Sequence, residues 1–256
     1  MKHILLLEEK LNTVLQADET IEDLQLNGYM LIQKQKGFKF GMDSVLLADF
    51  AGIKEKDTVA DLGTGNGILP LLLRGRNKGG KYYAIELQQD SAELAKRNME
   101  LNHLSDVVNV IHANAKDVGR FISPCSIDAV ICNPPYGHPS ASLVSPVNER
   151  AIARSQNDDT LNCFFSGAFQ ILKGKGKFCI VYPVQQMLYI MKKLQDYHLE
   201  PKRFRLVYPN EQKNANLVLI EAVKDAKPTL HSLPPLIIYQ KDGSLTNELK
   251  SVYHIL

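Results

Sequence analysis

The chain has 256 residues, 45% of them hydrophobic and 23% charged, and a formal net charge of +2. Such values describe a globular protein long enough to bury a substantial core, and they exclude a disordered or fibrous chain. A charge so near zero does not announce nucleic acid by itself, so its distribution matters more than its sum.

The first thirty residues lean acidic, with Glu8, Glu9, Asp18, Glu19, Glu22 and Asp23 against Lys2 and Lys10. Later, Lys173, Lys175, Lys177, Lys192, Lys193, Lys202, Arg203, Arg205 and Lys213 enrich the chain in basic groups. Solvated helix faces account for such clusters more readily than a nucleic-acid footprint does. Cys125, Cys132, Cys163 and Cys179 show no CxxC spacing and read as reduced, largely core residues, and no metal site is expected. The apolar run at 4–7 is too short for a signal peptide, and no stretch approaches the roughly 20 apolar residues that span a bilayer. A cytoplasmic protein is expected.

In chain order, residues 1–40 form an N-terminal appendage without strand–helix alternation. A short turn is predicted over 20–24, and a hairpin pairs 28–33 with 37–40 around Lys34-Gln35-Lys36. The spacing of Val45, Leu46, Leu47, Phe50 and Ile53 then predicts a helix, with Asp43 or Ser44 placed to cap its start. A strand over 58–62 runs into Gly63-Thr64-Gly65-Asn66-Gly67, and a helix over 68–74 follows. Glycines there let a ligand approach the backbone, and the helix directs its free N–H groups into the loop, although turns alone explain many such sequences. Glu86 ends a second strand, 82–85, nineteen residues past Gly67. That is the distance at which a carboxylate meets two ribose hydroxyls. Glycines at 63, 65 and 67 do not match the GxGxxG of dinucleotide sites.

A helix over 90–102, strands over 107–111 and up to Asn133, a helix over 159–172, a strand over 177–182 and a helix over 183–197 continue the alternation. Such a series predicts a mostly parallel sheet with helices on both faces, with ligands at the carboxyl ends of the strands. Gly63, Glu86, Asn114 and Asn133 would gather there. Strands over 203–208 and 217–221 read as a closing pair, and the Pro-rich end beyond Lys227, with a short strand over 236–239, as a tail packed on the surface.

The apolar strand 129–132 breaks at Asn133-Pro134-Pro135-Tyr136. Pro134 restricts Asn133 to an extended conformation, and the fixed φ angles hold the Asn133 side chain and the Pro134 carbonyl in one stiff turn. Two acceptors beside the Tyr136 ring suit a planar NH2 group, which could donate both hydrogens while its plane lies against the ring. Alone, the same residues also fit an ordinary strand followed by a Pro-rich loop.

Taken together, the stretch 61–67, Glu86 and the turn 133–136, in this order and spacing, resemble the class I S-adenosylmethionine-dependent methyltransferases that act on planar amino groups. The stretches 37–47, 151–154, 207–209 and 233–239 are more narrowly similar to the small-domain methyltransferases related to the bacterial tRNA(Val) adenine-N6 methyltransferase. This resemblance implies a Rossmann-like α/β domain over 41–224, with a seven-stranded, mostly parallel sheet and an antiparallel closing strand, followed by a tail over 225–256. It implies S-adenosylmethionine as cofactor, held by Asp61, Gly63, Thr64, Gly65 and Gly67 from the loop, by Glu86 at the ribose and by Asn114 and Ala115 at the adenine. Phe40, Asp43 and Asn133 would pack near the same cofactor. Asn133, Pro134, Pro135 and Tyr136 would hold the amine, most naturally N6 of an adenine in tRNA. Lys202, Arg203, Arg205 and Lys213 are the candidates for phosphate contact. A protein glutamine amide is the alternative substrate, since release-factor methyltransferases use the same turn, and a cofactor-binding module without turnover is a second alternative. Two positions depart from the family pattern: Asn114, where an Asp is usual, and Ser155-Gln156, where His-Glu is usual.

Overall fold

The computed structural model describes residues 15–35, 41–136 and 147–253, with the backbone alone described over 147–157. A central sheet is built from β3 (Thr58–Leu62), β4 (Lys81–Glu86), β5 (Val108–His112), β6 (Ile127–Cys132), β7 (Leu172–Pro183), β8 (Leu199–Tyr208) and β9 (Leu217–Lys224). Two short strands, β10 (His231–Ser232) and β11 (Leu236–Ile237), both pair in parallel with β8. The main order is β10-β8-β9-β7-β6-β3-β4-β5. The five strands from β7 to β5 are parallel, and β9 runs antiparallel to both its neighbours.

The strands of the parallel core read as continuous apolar runs because both faces are covered. In β6, Ala129 and Ile131 belong to one core with Leu46, Leu47, Leu71 and Leu73. Val130 and Cys132 point into the other core, with Phe165, Phe178 and Ile180. Helices α1 (Met42–Phe50), α2 (Ile68–Gly75) and α3 (Gln89–Leu101) contribute to the first core, and α4 (Val147–Ile171) and α5 (Met187–Asp196) to the second. From β3 the chain moves outward through β4 to β5, then returns to place β6 on the other side of β3. The connections diverge at this point, leaving a crevice at the carboxyl ends of β3 and β6.

Several expectations change. The N-terminal hairpin pairs β1 (Glu19–Asp23) with β2 (Met30–Lys34), in register from Glu19 opposite Lys34 to Asp23 opposite Met30. The segment read as a turn is thus a strand. Its partner turns at Asn27 and Gly28, both at positive φ, a combination that favours tight hairpins. Residues 37–40, expected to supply the second strand, and Phe40 with them, lie outside the described residues. Neither Asp43 nor Ser44 caps α1; Gly41 is its N-cap and no side chain bonds there. Helix α4 starts a dozen residues before the predicted 159, and Ser155 and Gln156 fall within it. Pro183 ends β7, and a short 3-10 turn over Val184–Gln186 precedes α5. The seven expected strands form; the short strand expected over 236–239 appears as β11, and β10 is added beside it, both supplied by the C-terminal segment at the edge of β8. That segment also forms α6 (Asn247–Val252), whose Leu249 and Val252 are buried in the first core. Among the described residues no helix is long and apolar enough to cross a membrane.

Candidate active site

Asp61 lies inside β3, next to its last residue, and is 1% exposed. Among the described residues neither of its carboxylate oxygens, nor the buried Thr64 hydroxyl beside it, has a hydrogen-bond partner. Burial pushes the Asp61 carboxyl up to about 7, with the Glu86 charge adding to the effect and the Thr64 hydroxyl opposing it. A buried anion without a partner is costly.

The loop after Asp61 is held by its backbone. The N–H groups of Gly63 and Thr64 both donate to the carbonyl of Ile85, at 2.9 and 3.0 Å. The N–H of Gly65 donates to Glu86 Oε2 at 2.8 Å, while Glu86 Oε1 accepts from the N–H of Gln88 at 2.9 Å. Glu86 therefore spans two loops, and each of its oxygens keeps a further lone pair for a hydroxyl. Gly65, at φ +59°, would carry a Cβ into open space, whereas a Cβ on Gly67, at φ +84°, would meet Met99 Cε at 2.8 Å. The first glycine leaves open space at its α-carbon and the second permits close packing on α3.

After β5, on the far side of β4 from β3, Asn114 caps the 3-10 turn Ala115–Arg120, its side-chain oxygen accepting from the N–H of Lys116 at 3.1 Å. The cap leaves one lone pair and the NH2 of Asn114 unused. Ala115 is buried behind it, and the N–H of Ala113 donates to the Glu86 carbonyl at 2.9 Å, joining this turn to the end of β4.

Asn133 follows directly on β6. Its Nδ2 donates to Ser44 Oγ at 3.0 Å, and its Oδ1 accepts from the Tyr136 hydroxyl at 2.9 Å. Pro134 is buried, Pro135 exposed, and the Tyr136 ring stands edge-on to Tyr182 with centroids 5.5 Å apart. Burial, with Asp43 close by, pushes the Tyr136 phenol well above its ordinary range, so it is a hydrogen-bond donor throughout the usual pH range. The Asn133 amide is consequently fixed with its NH2 toward α1 and its oxygen toward Tyr136. Sequence reasoning reached Asn133 and Tyr136 but missed Ser44 as their partner, because it read that serine as a helix cap. Nothing local links residue 44 to residue 133.

The proposed phosphate contacts fare differently. Arg203 is bound to Glu221 through Nε at 3.0 Å and Nη2 at 2.9 Å, and to the Phe50 carbonyl at 2.9 Å. Arg205 bonds the Pro234 carbonyl at 2.9 Å and Glu248 at 2.5 Å, and Lys202 bonds the Lys227 carbonyl and Thr229. These three fasten the sheet edge and its C-terminal segment. Of the four candidates, Lys213 is exposed in the turn between β8 and β9, at the same end of the sheet as Asn133.

An open α/β sheet with a glycine loop after its first parallel strand and an amide-bearing Pro-Pro turn across the crevice defines a Rossmann-like methyltransferase. Residues 39–199 match the family model of the methyltransferase small domain, and the chain belongs to that family. It is an S-adenosylmethionine-dependent methyltransferase. Proteins named tRNA1(Val) (adenine(37)-N6)-methyltransferase are similar to it along much of their length. The one from Aliivibrio salmonicida is 28% identical over 85% of this chain and 90% of its own. That from Bacteroides thetaiotaomicron is 30% identical over 64% and 68%. Among solved structures, Atu636 of Agrobacterium tumefaciens, described as a predicted O-methyltransferase, has a TM-score of 0.66 at 22% identity, covering 83% of this chain and 96% of its own. TYW2 of M. jannaschii in complex with AdoMet has a TM-score of 0.54 at 16% identity, covering 81% and 86%.

Proposed function

We propose that the protein methylates N6 of an adenine in tRNA, with the crevice between β3 and β6 as its active site. The observation that carries this is the Asn133 amide, an oxygen acceptor locked in orientation by Ser44 and Tyr136 at the carboxyl end of β6. The similar proteins named for adenine methylation of tRNA support the choice of substrate.

The residues present fit S-adenosylmethionine. Asp61, buried with two unpartnered oxygens, suits the cofactor's ammonium group. Gly65 leaves open space for its methionine part. Glu86 retains lone pairs for the ribose hydroxyls, and Asn114 faces the adenine from the next strand end. The cofactor supplies an electrophilic methyl group on a sulfonium. The chain's own residues position the acceptor. Asn133 Oδ1 and the Pro134 carbonyl accept the two hydrogens of the adenine amine, which draws its lone pair out of conjugation and aims it at the methyl. When bound, the cofactor would supply the methyl group to this nitrogen and leave with the sulfur's electron pair, and the proton the nitrogen gives up would pass to solvent. A base held in folded RNA reaches this turn only when splayed out of its stack, with Tyr136 as the adjoining aromatic surface.

The test is direct. Protein incubated with labelled S-adenosylmethionine and tRNA from a strain lacking the gene should yield N6-methyladenosine, and Asn133→Ala should abolish product while leaving cofactor affinity intact. Label in a protein glutamine and none in tRNA would replace this substrate with the amide alternative.

A further inference from the structure

We infer that Asn98 is a positioning residue for the cofactor loop, and that it ties the N-terminal hairpin to cofactor binding. It rests on the placement of the cofactor against residues 61–67 proposed above. Asn98 stands in the last turn of α3 and is 0% exposed. Its side-chain oxygen accepts from the N–H of Ile32 at 2.7 Å, and its Nδ2 donates to the Ile32 carbonyl at 3.0 Å and to the Asn66 carbonyl at 2.9 Å. One turn further along the helix, Asn102 treats Met30 in the same way, accepting at 2.8 Å and donating at 2.7 Å. Its second donor goes back to the Asn98 carbonyl at 2.7 Å. Two side-chain amides thus satisfy the outer edge of β2 as a third strand would.

The two asparagines differ in one bond. Asn102 serves only the hairpin and its own helix, whereas Asn98 also grips the loop, at the residue between Gly65 and Gly67. That loop is therefore held from two sides, with Glu86 on the Gly65 N–H and Asn98 on the Asn66 carbonyl. Both glycines flanking Asn66 lie at positive φ, and glycine-rich backbone has the most freedom to lose, so a fixed carbonyl there removes alternatives that do not accept the ligand. By linkage, a cofactor that favours the gripped loop also favours the docked hairpin.

The experiment compares Asn98→Ala with Asn102→Ala. In the intact protein, calorimetric titration with S-adenosylmethionine should give a Kd raised about tenfold for Asn98→Ala and unchanged within twofold for Asn102→Ala, while both speed amide exchange in β2. At saturating cofactor, kcat and the KM for RNA should stay near wild type in both. Equal changes in Kd for the two variants would reduce Asn98 to a structural residue and overturn the inference. Wild-type protein supplies a measurement independent of any variant's folding: saturating S-adenosylmethionine should slow exchange of the Ile32 N–H, and no change would overturn the link. If Asp61→Asn binds the cofactor as tightly as wild type, the placement of the cofactor fails first, and this inference with it.

Discussion

With the cofactor placed as proposed, Asp61 would set stability against function within a single side chain. The folded protein keeps a proton on it up to pH about 7, whereas an unfolded chain releases that proton near pH 4. The native state thus binds more protons between these values, and stability falls as pH rises through them, by about 4 kcal/mol in all. Asp61→Asn should raise the melting temperature of the cofactor-free protein at pH 8 and bring little gain at pH 4, while S-adenosylmethionine binding is lost. In the proposed pairing the cofactor's ammonium needs the ionised form, so wild-type affinity should weaken about tenfold for each pH unit below 7; a Kd flat from pH 5.5 to 8 would contradict that pairing. Ser44 makes a separate prediction. Ser44→Ala frees the Asn133 NH2, and the loss of one orienting hydrogen bond, about 1 kcal/mol, should lower kcat roughly fivefold to tenfold with cofactor Kd unchanged. Ser44→Thr should restore it.

At the scale of elements, the hairpin β1–β2 is fastened to α3 by charge as well as by amides. Glu19, 1% exposed at its side chain, bonds Arg97 through both oxygens, at 2.6 and 2.7 Å. The Arg97 hydrogen bond holds the Glu19 carboxyl below its usual range, so this contribution is present at neutral pH and is lost as pH falls through the depressed value. Removing the guanidinium leaves a buried carboxylate without its counter-ion, a loss of about 3 kcal/mol. Arg97→Gln should accordingly speed amide exchange at Ile32 and Met30 far more than in β4 or β6; uniform loosening would show that the hairpin is not a separable unit. This element was the least legible in the sequence. Its turn signal, Asn27-Gly28, was there to be read, but the strand before it, with three acidic residues among five, lacks the apolar alternation that marks a half-buried strand. Its stability comes from Arg97, Asn98 and Asn102, some seventy residues away in the chain.

Across the whole molecule, the C-terminal segment closes a gap that the sheet leaves open. β10 and β11 cover the exposed edge of β8, and α6 sets Leu249, 0% exposed, into the core shared with α1 and α2. Arg76 of α2's C-cap donates to the Val252 carbonyl at 2.7 Å. Leu249→Ala should cost about 3 kcal/mol and lower the melting temperature by roughly 6–12 °C, measured by calorimetry; a change below 2 °C would mean that the segment only rests on the surface. Sequence patterning placed the Pro-rich end as a surface tail carrying one short strand over 236–239, and gave no sign that it would pair with β8. Two-residue strands exist only because β8 offers its edge.

The sequence by itself determined the strand–helix alternation, the glycine loop, Glu86 and the Asn133 turn, because each is written in a contiguous pattern: apolar runs that fill a doubly covered sheet, glycines at positive φ, prolines that stop a strand. Only the tertiary structure decided which groups meet. Ser44 faces Asn133, Asn98 reaches Asn66, Arg203 and Arg205 are tied to Glu221 and Glu248, and Asp61 is left without a partner. Such contacts depend on how strands, helices and loops distant in the chain are brought together: the return of β6 beside β3 for Ser44 and Asn133, the docking of the C-terminal segment on β8 for Glu248. Local composition carries no record of that arrangement.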